Sequence, residues 1–85
     1  MAKPAYILIS VTSGELEIRT SFHETQKKAH QAMIDDIIAS TGYKSIEDFI
    51  DDANIGLCGF SDNDAWAETN RNGTGQWEII RIPTV

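Results

Sequence analysis

Apolar and polar positions change rhythm several times along the chain. Ala5 to Val11, AYILISV, is a nearly continuous apolar run rich in Ile, Val and Tyr. It reads as a strand buried on both faces. Thr12-Ser13-Gly14 follows as a short loop. Glu15 to Phe22 then alternates strictly, with Leu16, Ile18, Thr20 and Phe22 on one side and Glu17, Arg19 and Ser21 on the other. Alternation of period two is the mark of a half-exposed strand, and the two strands make an antiparallel hairpin.

The period then lengthens. Ala29, Met33 and Ile37 recur at i, i+4, i+8, and Ile34 and Ile38 widen the stripe. Thr25 is placed to cap this helix, and Gly42 to end it in a left-handed conformation. The helix is predicted from about Gln26 to Ser40. Ser45-Ile46-Glu47-Asp48 resembles a capping box with Asp in the last position. Ile46, Phe49, Ile50 and Ala53 line one face of this shorter helix, which Asn54-Ile55-Gly56 ends.

The last segment returns to period two. Ala65 to Thr69 and Gln76 to Ile82 read as strands about a turn centred on Asn72-Gly73, with Pro83 ending the ladder. Trp66 and Trp77 can approach each other across this second hairpin. The order ββααββ predicts an α+β fold, a four-stranded antiparallel sheet with two helices packed on one face.

Size changes the picture little. The 85 residues make a single compact domain, 1–85. A chain of this length buries about 60–65% of its unfolded surface, which leaves little room for an internal ligand cavity. No apolar run approaches the roughly 18 residues that span a membrane, and the opening run reads as a strand rather than a secretory leader. A lone cysteine, Cys58, has no internal partner. These features point to a cytoplasmic protein.

Charge changes it more. The net charge is −6, and Ile34 to Glu68 alone carries nine acids against Lys44. Such a field repels nucleic acid and favours a basic partner. Asp35, Asp36, Glu47, Asp48, Asp51, Asp52, Asp62 and Asp64 read as one acidic surface. That surface is either solvated or an imitation of a phosphate backbone set against a basic groove.

Candidate chemistry is sparse. From Asp62 the twelfth residue is Gly73 where a calcium loop of the EF-hand kind needs Glu. Asp62, Asp64 and Glu68 form a looser acidic set, and SDNDAW reads more simply as a turn into a strand. His23 and His30 lack partners at metal-ligand spacing. Cys58 lies in an apolar LCGF segment and reads as a small buried filler rather than a nucleophile, although folding can bring it to a histidine. No cofactor or metal is expected. Trp66 and Trp77 read as core side chains or as contacts for a partner.

The Phe before the helix bearing AMIDDI, together with DNDAW and GQWEIIRI, resembles small uncharacterised proteins of gut-bacterial phages and mobile elements. The likeness covers the layout of most of the chain. Its specific pieces are Asp64 to Trp66 and Trp77, Ile79 and Ile82. It implies no activity. Size and acidity also resemble phage anti-CRISPR and DNA-mimic proteins.

The expectation is a non-enzymatic interaction module, of the phage-accessory or inhibitor kind. Asp48, Asp51, Asp52, Asp62 and Asp64 would engage a basic protein. One alternative is a homodimer or structural subunit that uses the sheet face with Trp66 or Trp77. The other is a small thiol enzyme built on Cys58 with His23 or His30.

Overall fold

The computed structural model describes residues 5–12, 17–68 and 73–83. The chain runs β1 (Tyr6–Thr12), β2 (Glu17–His23), α1 (Gln26–Thr41), α2 (Ile46–Asn54), β3 (Gly59–Phe60), β4 (Asp64–Glu68) and β5 (Thr74–Arg81). All pairings are antiparallel, in the order β2-β1-β5-β4-β3. The α+β class, the two helices and the antiparallel sheet follow the pattern of the sequence. The sheet has five strands, not four.

The extra strand is β3. Two residues carry no alternation that could announce them. They pair because each suits its side of the sheet. Phe60 turns toward the helices and packs edge-on to Phe49, with ring centroids 5.9 Å apart. Gly59 lies opposite Trp66. A Cβ at position 59 would fall 2.1 Å from Trp66 Nε1, so only glycine lets the indole lie there.

The helix ends obey local chemistry. Thr25 Oγ1 accepts from Lys28 N at 3.1 Å, and Gly42 takes φ 79° at the far end of α1. Ser45 Oγ accepts from Asp48 N at 3.3 Å to open α2. Ala29, Met33 and Ile37 are fully buried, so the stripe read from the sequence is the face that meets the sheet. The core they close includes Leu8, Phe49, Cys58, Ala65, Ala67, Trp77 and Ile79.

The first hairpin departs from expectation. β1 is not buried on both faces. Leu8, Ser10 and Thr12 are buried toward the helices, while Ile7 and Ile9 are half-buried and Val11 is exposed on the other side. Thr12 belongs to the strand rather than the loop. In β2 the alternation holds, but its apolar side faces out, with Ile18 69% and Phe22 61% exposed. The expected Ser13-Gly14 loop, Leu16, Thr69 and the Asn70–Asn72 part of the second turn lie outside the described residues. The last strand ends at Arg81 instead of Ile82.

The cause is one carboxylate. Asp36 Oδ2 accepts from Trp77 Nε1 at 2.6 Å, Ser10 Oγ at 2.8 Å and Arg19 Nη2 at 2.9 Å. These donors come from β5, β1 and β2, so a single oxygen on α1 gathers three adjacent strands. Arg19 must point inward to reach it. Side chains alternate strictly, so Ile18, Thr20 and Phe22 must point outward. Asp36 is therefore an internal link rather than part of a solvated acidic face. Trp77, 2% exposed, takes the core alternative and offers no surface to a partner in this fold. The two tryptophans do not approach: Trp77 pairs with Ala65 and Trp66 with Gln76, on opposite sides of the sheet.

Removing the acceptor leaves the buried Trp77 N–H and Ser10 hydroxyl without it, and buried donors that lose their acceptor carry a full desolvation penalty, while Arg19 keeps Ser40 and water. Asp36→Ala should cost about 2–4 kcal/mol of folding stability. Asp36→Asn keeps one acceptor oxygen and should cost roughly half as much. Urea denaturation of the three proteins, read by Trp fluorescence, measures the order.

Candidate interaction surfaces

The acids that stand together in the sequence separate in the fold. Glu47, Asp48 and Asp51 lie exposed on the outer side of α2. Phe49 is wholly buried on its inner side. Glu47 and Asp48 occupy the first turn, where the exposed N–H groups of the helix end favour negative charge. This offsets the repulsion between carboxylates three and four residues apart. Past the helix, Ile55 is 71% and Leu57 60% exposed, on either side of Gly56 with φ 84°. Backbone bonds from Ile55 N and Leu57 N to the Asp52 carbonyl, at 3.3 and 3.0 Å, hold this turn against the helix. An acidic helix face and two outward apolar side chains thus form one local unit. The sequence marks Ile55 only as part of the helix end and does not single out Leu57. Their signal was two large apolar residues about a glycine just beyond the helical stripe.

Asp52 is only partly available. Its Oδ2 accepts the Tyr43 hydroxyl at 2.5 Å. That bond, with burial and the carboxylate charge, pushes the Tyr43 phenol from 10.0 up to about 12. Cys58 lies beside this pair, buried, and its thiol donates to the Phe49 carbonyl at 3.5 Å. Burial pushes the thiol up, the Asp52 charge adds to this, and a hydrogen bond with Tyr43 opposes it. Both histidines are engaged elsewhere. His23 Nε2 pairs with Ser21 Oγ at 2.7 Å. His30 Nδ1 donates to the Asp62 carbonyl at 3.1 Å, and its ring meets Phe60 at 5.4 Å. The fold does not bring Cys58 to either of them.

Asp62 is exposed in the loop between β3 and β4. Asp64 closes that loop: its Oδ1 accepts from Ser61 Oγ at 2.6 Å, and its carbonyl accepts from Ser61 N at 2.8 Å. SDNDAW is thus a hydrogen-bonded turn into a strand. Asp64 then shares the open side of the sheet with Trp66, two positions along β4. Among the described residues no group of three or more His, Cys, Asp or Glu side chains is arranged to hold a metal. No helix among the described residues is long and apolar enough to cross a membrane.

The open side of the sheet is the second surface. Ile18 and Phe22 from β2, Val11 from β1, Ile80 from β5 and Trp66 from β4 are all exposed there. A shallow groove of about 550 Å³ runs along it between Trp66, Ile9 and Val11, with Asp64, Gln76 and Glu78 on its floor and walls. The described strands place acids but no cation on this side.

Tyr43 holds its proton more tightly folded than unfolded. Its contribution to stability is therefore complete below pH 10 and is lost as pH rises through about 12. In an absorbance titration of the folded protein, Tyr43 should ionise at about 12 rather than 10.0, and Asp52→Asn should bring it down. A thiol reagent at neutral pH should leave Cys58 unmodified until urea unfolds the chain. Comparison with known proteins returned no match: no family model fits the chain, and neither the curated proteins nor the solved structures include one significantly similar to it.

Proposed function

We propose that this protein acts by binding another protein, as a small acidic module without chemistry of its own, and that α2 with the turn behind it makes the contact. The observation that carries the reading is the exposure of Ile55 and Leu57 in the turn that ends α2, the helix whose outer side carries Glu47, Asp48 and Asp51. Large apolar side chains in water are costly to maintain, and together with single-sign charge they suit an interface with an apolar centre and a polar rim. The partner's complementary surface is basic and apolar. Charge steers the encounter and selects the partner, and the apolar pair holds it.

Asp48 and Asp51 are the carboxylates free to pair with lysine or arginine of the partner. Asp52 divides its capacity with Tyr43. Asp62 and Asp64 belong to a different loop, and Asp64 sits on the other side of the sheet. A compact acid-and-apolar patch fits this distribution better than an extended row copying a phosphate backbone.

The test is capture of a binding protein from bacterial lysate by tagged wild type and variants, at low and high salt. Asp48→Lys with Asp51→Lys should abolish a capture that wild type shows at low salt and loses at high salt. Ile55→Asp with Leu57→Asp should weaken that low-salt capture. Reversing charge in the first turns of α2 should cost only about 1 kcal/mol of stability, which circular dichroism under denaturant will register. Capture that survives all four substitutions overturns the reading.

A further inference from the structure

The open face of the sheet is apolar for a structural reason, and that reason does not say what covers it. We infer that it is covered by a second copy of this chain, in a two-fold dimer with the two sheets face to face. The inference uses a different surface from α2, so either can fail without the other.

Extent is the first argument. Four strands spaced about 4.8 Å apart, each about seven residues long at about 3.4 Å per residue, give a face of roughly 450 Å² in plan. Side-chain relief enlarges the accessible area beyond that figure. A standard interface takes about 800 Å² of accessible surface per partner, and a typical monomer exposes no apolar patch above about 300–600 Å². The face is thus comparable with the largest patch of a typical monomer, a patch that is often functional, and before side-chain relief is added it reaches about half of what each partner of a standard interface buries.

Register is the second. The pairings set three rows across the open side. Phe22, Ile7 and Ile80 form the first. Thr20, Ile9, Glu78 and Asp64 form the second. Ile18, Val11, Gln76 and Trp66 form the third. Among the described residues the β2–β1 half holds no charge, and the β5–β4 half holds Glu78, Asp64 and, beyond the third row, Glu68 opposite Thr74. A two-fold axis parallel to the strands, between β1 and β5, lays the first half of one copy on the second half of the other. Ile7 then meets Ile80, Ile18 meets Trp66, and the Thr20 hydroxyl meets the Asp64 carboxylate. In these three rows acid never faces acid. A two-fold across the strands would stack Glu78 on Glu78 and is disfavoured for that reason. Aligned sheets pack about 10 Å apart with a crossing near 30°, which this arrangement accommodates.

Net charge does not forbid it. Each copy carries −6. With the sheets inside, the α2 carboxylates of the two copies lie on opposite outer layers, roughly 30 Å apart by layer spacing. The screening length is about 10 Å at 0.1 M salt. Glu78 is the weak point, because it lands on Ile9 and must shed water there.

Analytical ultracentrifugation from micromolar to submillimolar protein tests the inference, with circular dichroism as the check on folding. Wild type should approach twice 9.4 kDa and hold that mass at high salt. Trp66 fluorescence should shift to the blue as concentration rises. Ile18→Asp, at a position already 69% exposed in the single chain and opposite Trp66 across the two-fold, should leave the fold intact and raise the dissociation constant at least about thirtyfold. Glu78→Gln should tighten the dimer. A mass of 9.4 kDa throughout for both wild type and Glu78→Gln would overturn the inference. So would a dimer indifferent to Ile18→Asp.

Discussion

One carboxylate oxygen organises this fold. Asp36 sits on α1 and receives the side chains of Ser10, Arg19 and Trp77 from three neighbouring strands. A large ring such as Trp77 brings a great deal of apolar surface into the core, but its N–H must find an acceptor there. Asp36 is that acceptor. The same atom draws Arg19 inward at the rim of the helix layer, where Arg19 is 42% exposed and its charge keeps some water. It also satisfies Ser10, one of the few polar side chains buried in the sheet. Packing alone would let α1 slide along an apolar sheet; three donors on one oxygen fix where it rests.

The other acids have been given separate tasks. Asp52 orients Tyr43 over Phe49, whose rings meet edge-on at 5.2 Å, and the pair closes over Cys58. Asp64 shapes a turn. The Asp48 and Asp51 carboxylates hold no side-chain partner among the described residues, and for that reason they are ones with capacity to spare. Sorting carboxylates by what they already hold distinguishes structural from available charge better than their count does.

Much of the architecture was legible in the sequence, because its signals are local. Thr25, Gly42 and Ser45 each act within one helical turn, and the Ala29, Met33, Ile37 stripe reports a face by spacing alone. What escaped was non-local. The alternation in β2 is plain, yet nothing in its own residues says that Arg19 is wanted inside, since the reason lies 17 residues away at Asp36. Counting Asp36 among the acids of the surface missed that it faces Trp77 across 41 positions. β3 is too short to have a rhythm, and its glycine makes sense only once Trp66 is seen lying against it. The acidic patch on α2 was readable as charge, but Ile55 and Leu57 beside it became informative only when the turn showed them facing water.

The strand order has a kinetic meaning. β1 is flanked by β2 and by β5, so one long edge of the first hairpin stays open until the final strand arrives. Closing that gap means joining residues about 70 positions apart, a contact whose loop entropy is spent before any reward. Until then Asp36 lacks its indole and Leu8 its cover. During synthesis the first hairpin and α1 emerge seconds before β5 at ordinary elongation rates of about 5–20 residues per second. The early chain therefore waits as an unfinished sheet, and folding becomes a late, all-or-none event triggered by the last strand.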